Sequence, residues 1–199
     1  MRLEDVDALV QLQDVAVSQR LHLDIRFCGS VDAIRALNEG RCSVAGFHTL
    51  ETPSANSLPA RTYKPLLQLG KHKLIGFARR QVGLMTAPGN PLKIQSLKDV
   101  AIREARFVNR ELGTGTRVLL DQLMEENQLC ADSLRGYEDV EPSHAAVASR
   151  VVSAGTAPSV STACCAAAGA SDACHANTTM QATSTVMFTA GTSSGGLSS

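Results

Sequence analysis

The chain has 199 residues and a formal net charge of zero, with 19 basic and 19 acidic side chains. This length suits one ordinary domain or one two-lobed α/β domain, and the balanced charge argues against a protein that coats nucleic acid or an anionic membrane. No apolar run approaches the roughly 20 residues of a membrane helix, and the acidic first residues are unlike a signal peptide. We therefore expect a cytoplasmic protein.

The charges are distributed unevenly along the chain. Asp172 is the only charged residue after Arg150, and 33 of the 47 residues from Ser153 to Ser199 are Ala, Ser, Thr or Gly. Such a composition leaves little apolar surface to bury. The sequence therefore predicts a folded domain over residues 1–155 and a disordered low-complexity tail over residues 156–199.

The amino-terminal part predicts a helix followed by a strand, a second helix and a second strand. Residues 21–27 alternate apolar and polar side chains, as a half-exposed strand does. Ser30 suits the N-cap of the second helix and Gly40 its end, and residues 43–47 are apolar enough for a buried strand. A strand, a helix and a strand within so few residues favour a parallel βαβ unit.

The middle of the chain is predicted as a loop over residues 52–63, which are rich in Pro, Ser and Asn. Two strands are expected at residues 74–78 and 82–85, and Ser96 caps a short helix.

The last part of the domain is predicted as a strand over residues 106–109, a helix from about Thr116 to Asn127 and a final helix. Ser143 caps that final helix and Gly155 ends it.

The segment Gly-Thr-Gly-Thr-Arg at residues 113–117 is the most informative local feature, because it joins a predicted strand to a predicted helix. Thr114, Gly115, Thr116 and Arg117 together offer close backbone approach, unpaired helix N–H groups, hydroxyls and a guanidinium to an anion. The same residues also fit a tight turn whose threonines only cap the helix. Both interpretations remain open at this point. The segment lacks the Gly-Lys-Ser/Thr ending of a nucleotide P-loop.

Three other polar residues lie at predicted helix starts or strand ends: Ser30, His48 and His144. Ligands in open α/β sheets lie beyond the carboxyl ends of strands, so Ser30 and the 113–117 segment are expected to face one cleft. The alternatives are that Ser30 only caps a helix and that the histidines are ordinary surface residues. Neither histidine has a companion at metal-ligand spacing, so we expect no metal site.

Catalytic patterns are not recognisable. The six cysteines include no repeated Cys-x-x-Cys motif and are interpreted as reduced thiols. The sequence order also shows no Cys–His or Ser–His–Asp arrangement that would pair a nucleophile with a base. We therefore expect a binding protein without a cofactor, and not an enzyme.

Four segments together resemble a known family: FCGSVDAIRALNEGRCSVAGFHTLE (27–51), RRQVGLMTAPGNPLKI (79–94), RFVNRELGTGTRVLLDQLM (106–124) and GYEDVEPSHAAVASRVVSAG (136–155). They resemble the substrate-binding-protein-like domain of helix-turn-helix transcriptional regulators, which is similar to molybdate- and tungstate-binding proteins of ABC uptake systems. The resemblance implies an α/β, type II periplasmic-binding-protein-like fold, in which two lobes hold the ligand between helix N-termini.

The resemblance also implies which residues hold the ligand. One lobe contributes Ser30 and the other contributes Thr114, Gly115 and Thr116, while His48, Arg117 and His144 match positions near the cleft. Closure of the lobes on the ligand would be the signalling event.

Two departures from the family lead us to expect an incomplete, N-terminally truncated domain. The chain starts at the helix that follows the family's first strand, and GTAPSVSTACCAAAGASD (155–172) replaces the family's closing elements. We hypothesise a shifted reading frame near Ala154, which the nucleotide sequence would reveal, and a DNA-binding domain encoded upstream.

The expected function is a cytoplasmic sensor domain for a small oxyanion, with molybdate or tungstate as the best ligands and no direct nucleic-acid or membrane contact. The alternatives are the solute-binding component of an ABC uptake system, favoured by an upstream signal peptide, or a non-functional fragment of either, favoured by an unfolded circular dichroism spectrum.

Overall fold

The computed structural model describes residues 12–50, 54–153, 159–163 and 178–191. Within these ranges the helices are α1 (12–18), α2 (Ser30–Asn38), α3 (Leu58–Tyr63), α4 (Leu97–Ile102), α5 (Gly115–Glu126) and α6 (His144–Ser153). The strands are β1 (Val44–Leu50), β2 (His72–Thr86), β3 (Arg106–Arg110), β4 (Val140–Glu141), β5 (Ser159–Ala163) and β6 (Thr178–Gly191). None of the helices described is long and apolar enough to cross a membrane.

The described strands form one mixed sheet in the order β1-β6-β2-β5-β3-β4. β6 pairs antiparallel with β1 on one side and with β2 on the other. β5 is antiparallel to β2 and parallel to β3, and β4 is parallel to β3. The predicted α/β class is therefore confirmed.

β5 and β6 come from the segment predicted as a disordered tail, so at these residues the structure differs from the prediction. β6 runs along β2 from the Gly191–His72 pair to the Thr178–Leu84 pair. Five of the residues 178–189 are Thr, a residue type that suits strands, as do Val186 and Phe188. Pairing on both sides satisfies their backbone groups without any charged side chain. The other residues of the tail lie outside the described ranges, where disorder stays a prediction.

Two hydrophobic clusters matter for the site. The larger packs α4 and α5 against the sheet, with Leu84, Phe107 and Leu120 fully buried. The smaller one, called the junction cluster below, unites α2, β1, α3 and α5 through Ile34, Phe47, Tyr63 and Val118. Ile34 and Val118 lie about one turn into their helices, so this cluster supports the starts of both α2 and α5.

Several local predictions are confirmed because they rest on helix caps. The Ser96 hydroxyl accepts from the Asp99 N–H at the start of α4, and the Ser143 hydroxyl accepts from the Ala146 N–H in α6. The predicted strand over residues 106–109 is β3. The predicted first helix is seen over residues 12–18, and residues 1–11 lie outside the described ranges, as does the predicted helix end at Gly155.

The predicted strand over residues 21–27 is wrong. These residues form no regular structure, and Leu21 and Phe27 are mostly exposed. Among the described strands, β1 pairs with β6 alone, and that pairing is antiparallel. The parallel βαβ unit is therefore wrong as well, since the partner of β1 comes from a distant part of the chain.

The predicted loop over residues 52–63 contains α3. The Ser57 hydroxyl accepts from the Ala60 N–H and Pro59 lies in the first turn, which is a helix-start signal rather than a loop signal. The two strands predicted at residues 74–78 and 82–85 are parts of the single strand β2, whose register shifts twice against β6.

Candidate functional site

The first turn of α2 lies against the loop that precedes α5. The Val31 N–H donates to the Gly113 carbonyl over 3.2 Å, and a Cβ on Gly29 would lie 3.1 Å from the same oxygen. Gly113 has φ +81°, in the left-handed region that glycine favours. The structure thus brings together the two turns that the sequence predicts to face one cleft.

Ser30 is the first residue of α2, and Gly29 is its N-cap. The predicted N-cap at Ser30 is therefore wrong by one residue. Ser30 is only 4% exposed, and its hydroxyl does not serve as the helix cap. Because the first N–H groups of a helix have no intrahelical acceptor, this hydroxyl lies next to backbone donors.

Thr114 is the N-cap of α5. Its hydroxyl accepts from the Arg117 N–H over 3.4 Å and donates to the Glu111 carbonyl over 2.7 Å. Of the two interpretations of this segment, helix capping is therefore observed for the Thr114 side chain. Gly115 and Thr116 are buried in the first turn, where helix N–H groups and the helix dipole favour an anion.

His48 packs directly on the start of α5. Strand β1 places it opposite Val186 of β6, and a Cβ on Gly115 would lie 2.7 Å from both Cβ and Cγ of His48. A side chain at position 115 would displace the imidazole, so the glycine permits this contact. His48 thus links strand β1 to the first turn of α5.

Arg117 is buried, and its guanidinium is already paired within the protein. Its Nε lies 3.1 Å from Asp121 Oδ1, its Nη1 donates to the Arg110 carbonyl over 3.3 Å, and its Cζ lies 4.1 Å from the centre of the Tyr137 ring. The Tyr137 hydroxyl donates to the same Asp121 carboxylate over 2.8 Å. These contacts tie α5 to β3 and to Tyr137.

His144 is the first residue of α6 and lies at the same edge of the sheet as the 113–117 segment. β4 runs parallel to β3, with Glu141 opposite Arg110. The Arg110 guanidinium donates to the Pro142 carbonyl over 3.0 Å just before α6 begins. His144 therefore shares the edge but sits on a helix of its own.

Sequence reasoning missed Tyr63. This residue ends α3, is 3% exposed, and its ring centre lies 5.0 Å from that of Phe47. Burial raises the pKa of Tyr63 to about 12, and the neighbouring Ser30 side chain counteracts part of that rise. The Ser-x-Pro helix start at residues 57–59 was the signal that would have placed Tyr63 on a helix.

A separate open cleft of about 620 Å³ lies at the opposite end of β3, where Arg106, Arg135 and Asp139 line it. Arg106 and Asp139 form an ion pair of 3.0 Å there. The cleft lies at the start of β3, whereas α5 follows the other end of that strand. Within the described ranges, no three His, Cys, Asp or Glu side chains gather as metal ligands.

The arrangement at the helix starts can bind a small anion. The start of α2 contacts the loop that precedes α5 through the Val31 N–H and the Gly113 carbonyl, and the remaining N-terminal N–H groups and the dipole of each helix favour an anion. Ser30 lies in the first turn of α2, and His48 packs on the first turn of α5. Among the described residues, the hydrogen-bond donors for such an anion are backbone N–H groups and the Ser30 hydroxyl.

Comparison with known proteins identifies the family of the chain. Residues 13–171 match the PBP superfamily domain. Over 128 residues the chain is 31% identical to the Bacillus subtilis (strain 168) protein YvgK, in an alignment that covers 64% of this chain and 41% of that protein. The chain thus spans less than half the length of that relative.

Three solved structures share the fold. The Synechocystis CcmR regulatory domain in complex with 2-PG has a TM-score of 0.60 at 13% identity, covering 94% of this chain and 81% of that one. A Clostridium perfringens protein described as a phosphate ABC transporter substrate-binding protein, with bound phosphate, has a TM-score of 0.65 at 14% identity, covering 92% of this chain and 80% of that one. The Geobacter sulfurreducens tungstate ABC transporter has a TM-score of 0.64 at 15% identity, covering 94% of this chain and 80% of that one.

These likenesses confirm the type II periplasmic-binding-protein-like fold that the resemblance implied. The family match covers most of the chain, including α2, β1 and α5, on which the candidate site is built. The chain therefore belongs to the PBP superfamily domain family.

Proposed function

We propose that this domain is the sensor part of a cytoplasmic regulator and that it binds a small tetrahedral oxyanion, with molybdate and tungstate as the expected ligands. The broader conclusion, a small-ligand-binding domain of the periplasmic-binding-protein type, follows from the family. The observation that carries the proposal is the meeting of two helix starts, where the Val31 N–H reaches the Gly113 carbonyl.

Physical chemistry supports an anion at this place. Helix N-termini offer N–H donors and a partial positive charge, and Ser30 adds a buried hydroxyl. Two of the solved neighbours are named for phosphate or tungstate. Backbone N–H groups can donate to several tetrahedral oxyanions, so the size of the closed site determines which oxyanion binds most tightly.

The regulator and the uptake receptor differ in what is encoded upstream. The CcmR regulatory domain supports the first by its name, and the tungstate transporter supports the second. An upstream helix-turn-helix segment would support the regulator. An upstream signal peptide would instead support the uptake receptor and contradict the regulator.

Calorimetry and thermal unfolding of the purified chain test the proposal. Molybdate, tungstate, sulfate and phosphate are compared at equal ionic strength with chloride. A ligand that binds only the folded state raises Tm by roughly 5–10 °C at one hundred times its Kd. We expect such a rise for at least molybdate or tungstate.

Substitution locates the site. Ser30→Ala is expected to weaken the binding by about tenfold or more, because a hydrogen bond to a charged group is lost. Ser43→Ala is the matched control, since Ser43 is exposed and precedes β1. The proposal fails if no oxyanion binds at millimolar concentration, or if both variants bind as the wild-type chain does.

A further inference from the structure

The hydroxyl of Tyr63 is buried without a hydrogen bond of normal geometry to any described residue. A buried polar atom without a partner destabilises a protein. Phe at this position would fill the same space without that cost. The phenol oxygen therefore calls for an explanation beyond packing.

The position of the Tyr63 side chain is rigidly determined. It packs in the junction cluster, against Phe47, and α3 is tied to α5 at two places. The Leu58 N–H donates to the Gln122 side chain, and Arg61 donates to both carboxylate oxygens of Glu125 over 2.6 and 2.8 Å. The phenol is thus held beneath the place where α2 and α5 begin.

Ser30 lies one turn before Ile34 on the same buried face of α2, and Ile34 packs with Tyr63 in the junction cluster, so Ser30 is the nearby polar side chain for the Tyr63 hydroxyl. Both side chains are almost fully buried, at 4% and 3% exposure. A serine hydroxyl has one proton to donate and two lone pairs that accept. If it accepts the proton of a neighbouring phenol, its own proton is free to point at a ligand.

We propose that Tyr63 is a positioning residue of the oxyanion site: when the anion binds, the Tyr63 hydroxyl donates to Ser30 Oγ, which donates its own proton to the anion. This inference rests on the proposed function. Donors linked in this way polarise one another and strengthen the terminal hydrogen bond. The phenol stays protonated through the physiological pH range, so it acts as a donor throughout.

Tyr63→Phe distinguishes positioning from packing, because the two roles predict different results. Loss of an unpartnered hydroxyl leaves the thermal stability of the free protein unchanged or raises it. Loss of the donor to Ser30 weakens anion binding by about tenfold. A purely structural tyrosine would lower stability and leave the affinity of the folded protein unchanged.

Tyr137→Phe is the matched control, because Tyr137 is the second of the two tyrosines and its hydroxyl contacts Asp121 rather than Ser30. We expect this variant to lower Tm and to keep the wild-type Kd for molybdate or tungstate. It also leaves Tyr63 as the single tyrosine in a chain without tryptophan. Its fluorescence then reports on Tyr63 alone and is expected to change when the anion binds.

A double-mutant cycle with Ser30→Ala tests whether Tyr63 acts through Ser30. Calorimetry with molybdate and tungstate on the full chain is expected to show that Tyr63→Phe weakens binding in the wild-type background and has no further effect once Ser30 is alanine. Equal effects in both backgrounds would mean that Tyr63 acts independently and would overturn the inference.

The outcomes separate the inference from the proposed function. If the wild-type chain binds no oxyanion, both are wrong. If the wild-type chain binds and Tyr63→Phe binds within twofold of it, the oxyanion function stands and the role of Tyr63 is refuted.

Discussion

The imidazole of His48 rests on the backbone of Gly115, so closely that a Cβ on the glycine would lie 2.7 Å from the histidine Cβ. The contact joins β1 to the first turn of α5, on the residues whose N–H groups are expected to hold the ligand. Space for this histidine exists only because position 115 has no side chain.

Gly115→Ala is therefore expected to destabilise the fold by roughly 1–3 kcal/mol, since an added carbon in a packed site forces its neighbours to move. Urea unfolding followed by circular dichroism measures the change. Gly76→Ala is the matched control, because a Cβ at Gly76 has no atom within 4 Å. Equal stability of the two variants would contradict the close packing of His48.

Asp121 is expected to stabilise the fold through two partners. It pairs with the buried Arg117 over 3.1 Å and accepts from the Tyr137 hydroxyl over 2.8 Å. Asp121→Asn leaves the guanidinium buried without its counterion, at a cost of about 2–3 kcal/mol in urea unfolding. Glu39→Gln breaks the exposed pair with Arg41 and is expected to cost less than about 0.5 kcal/mol. Similar losses for both would refute this role of Asp121.

Alkaline pH is expected to destabilise the protein through Tyr63. Burial raises the pKa of Tyr63 from 10.0 to about 12, so the folded state holds the phenol proton more tightly than the unfolded chain does. Its contribution to stability is complete below pH 10 and is lost as the pH rises from 10 to 12, by roughly 2–3 kcal/mol in total.

The test compares urea unfolding of the wild-type chain and Tyr63→Phe between pH 9 and 12. Other groups that titrate in this range, Tyr137 among them, are present in both chains and cancel. Parallel stability curves for the two chains would show that Tyr63 ionises as freely in the folded state as in the unfolded one.

β6 is expected to be essential to the sheet, because it pairs with β1 and β2 at once. Val186 lies opposite His48 on one side and Ala78 on the other. Val186→Pro removes an N–H from the middle of a strand flanked on both sides, and we expect loss of cooperative folding in circular dichroism. Val186→Ala keeps that N–H and is expected to stay folded. A folded proline variant would mean that residues 178–191 are dispensable.

The parts of the fold that could be predicted from the sequence depend on neighbours along the chain. Ser96 and Ser143 cap helices that begin next to them, and Gly40 follows the end of α2 with φ +71°. A cap is made with residues two or three positions away, so a short segment contains the whole signal.

The failures in assigning strands involve partners that are distant in sequence. Residues 21–27 have the alternation of a strand but no strand beside them. The lack of charge in residues 178–191 predicts disorder, whereas pairing with β1 and β2 makes them a strand. The Ser-x-Pro start places Tyr63 on a helix, but its burial could not be predicted, because its neighbours come from α2, β1 and α5. Composition cannot reveal such meetings.

The position of β6 between β1 and β2 has a consequence for synthesis of the protein. Leu50 must wait for Ser184 before its strand is paired, and at about 5–20 residues per second this delay is on the order of 10 s on the ribosome. Throughout that time two early strands expose unpaired edges, which are open to association with other chains. Folding is therefore expected to be slow and to finish only after β6 has left the ribosome. Until then the nascent chain depends on protection against association with other chains.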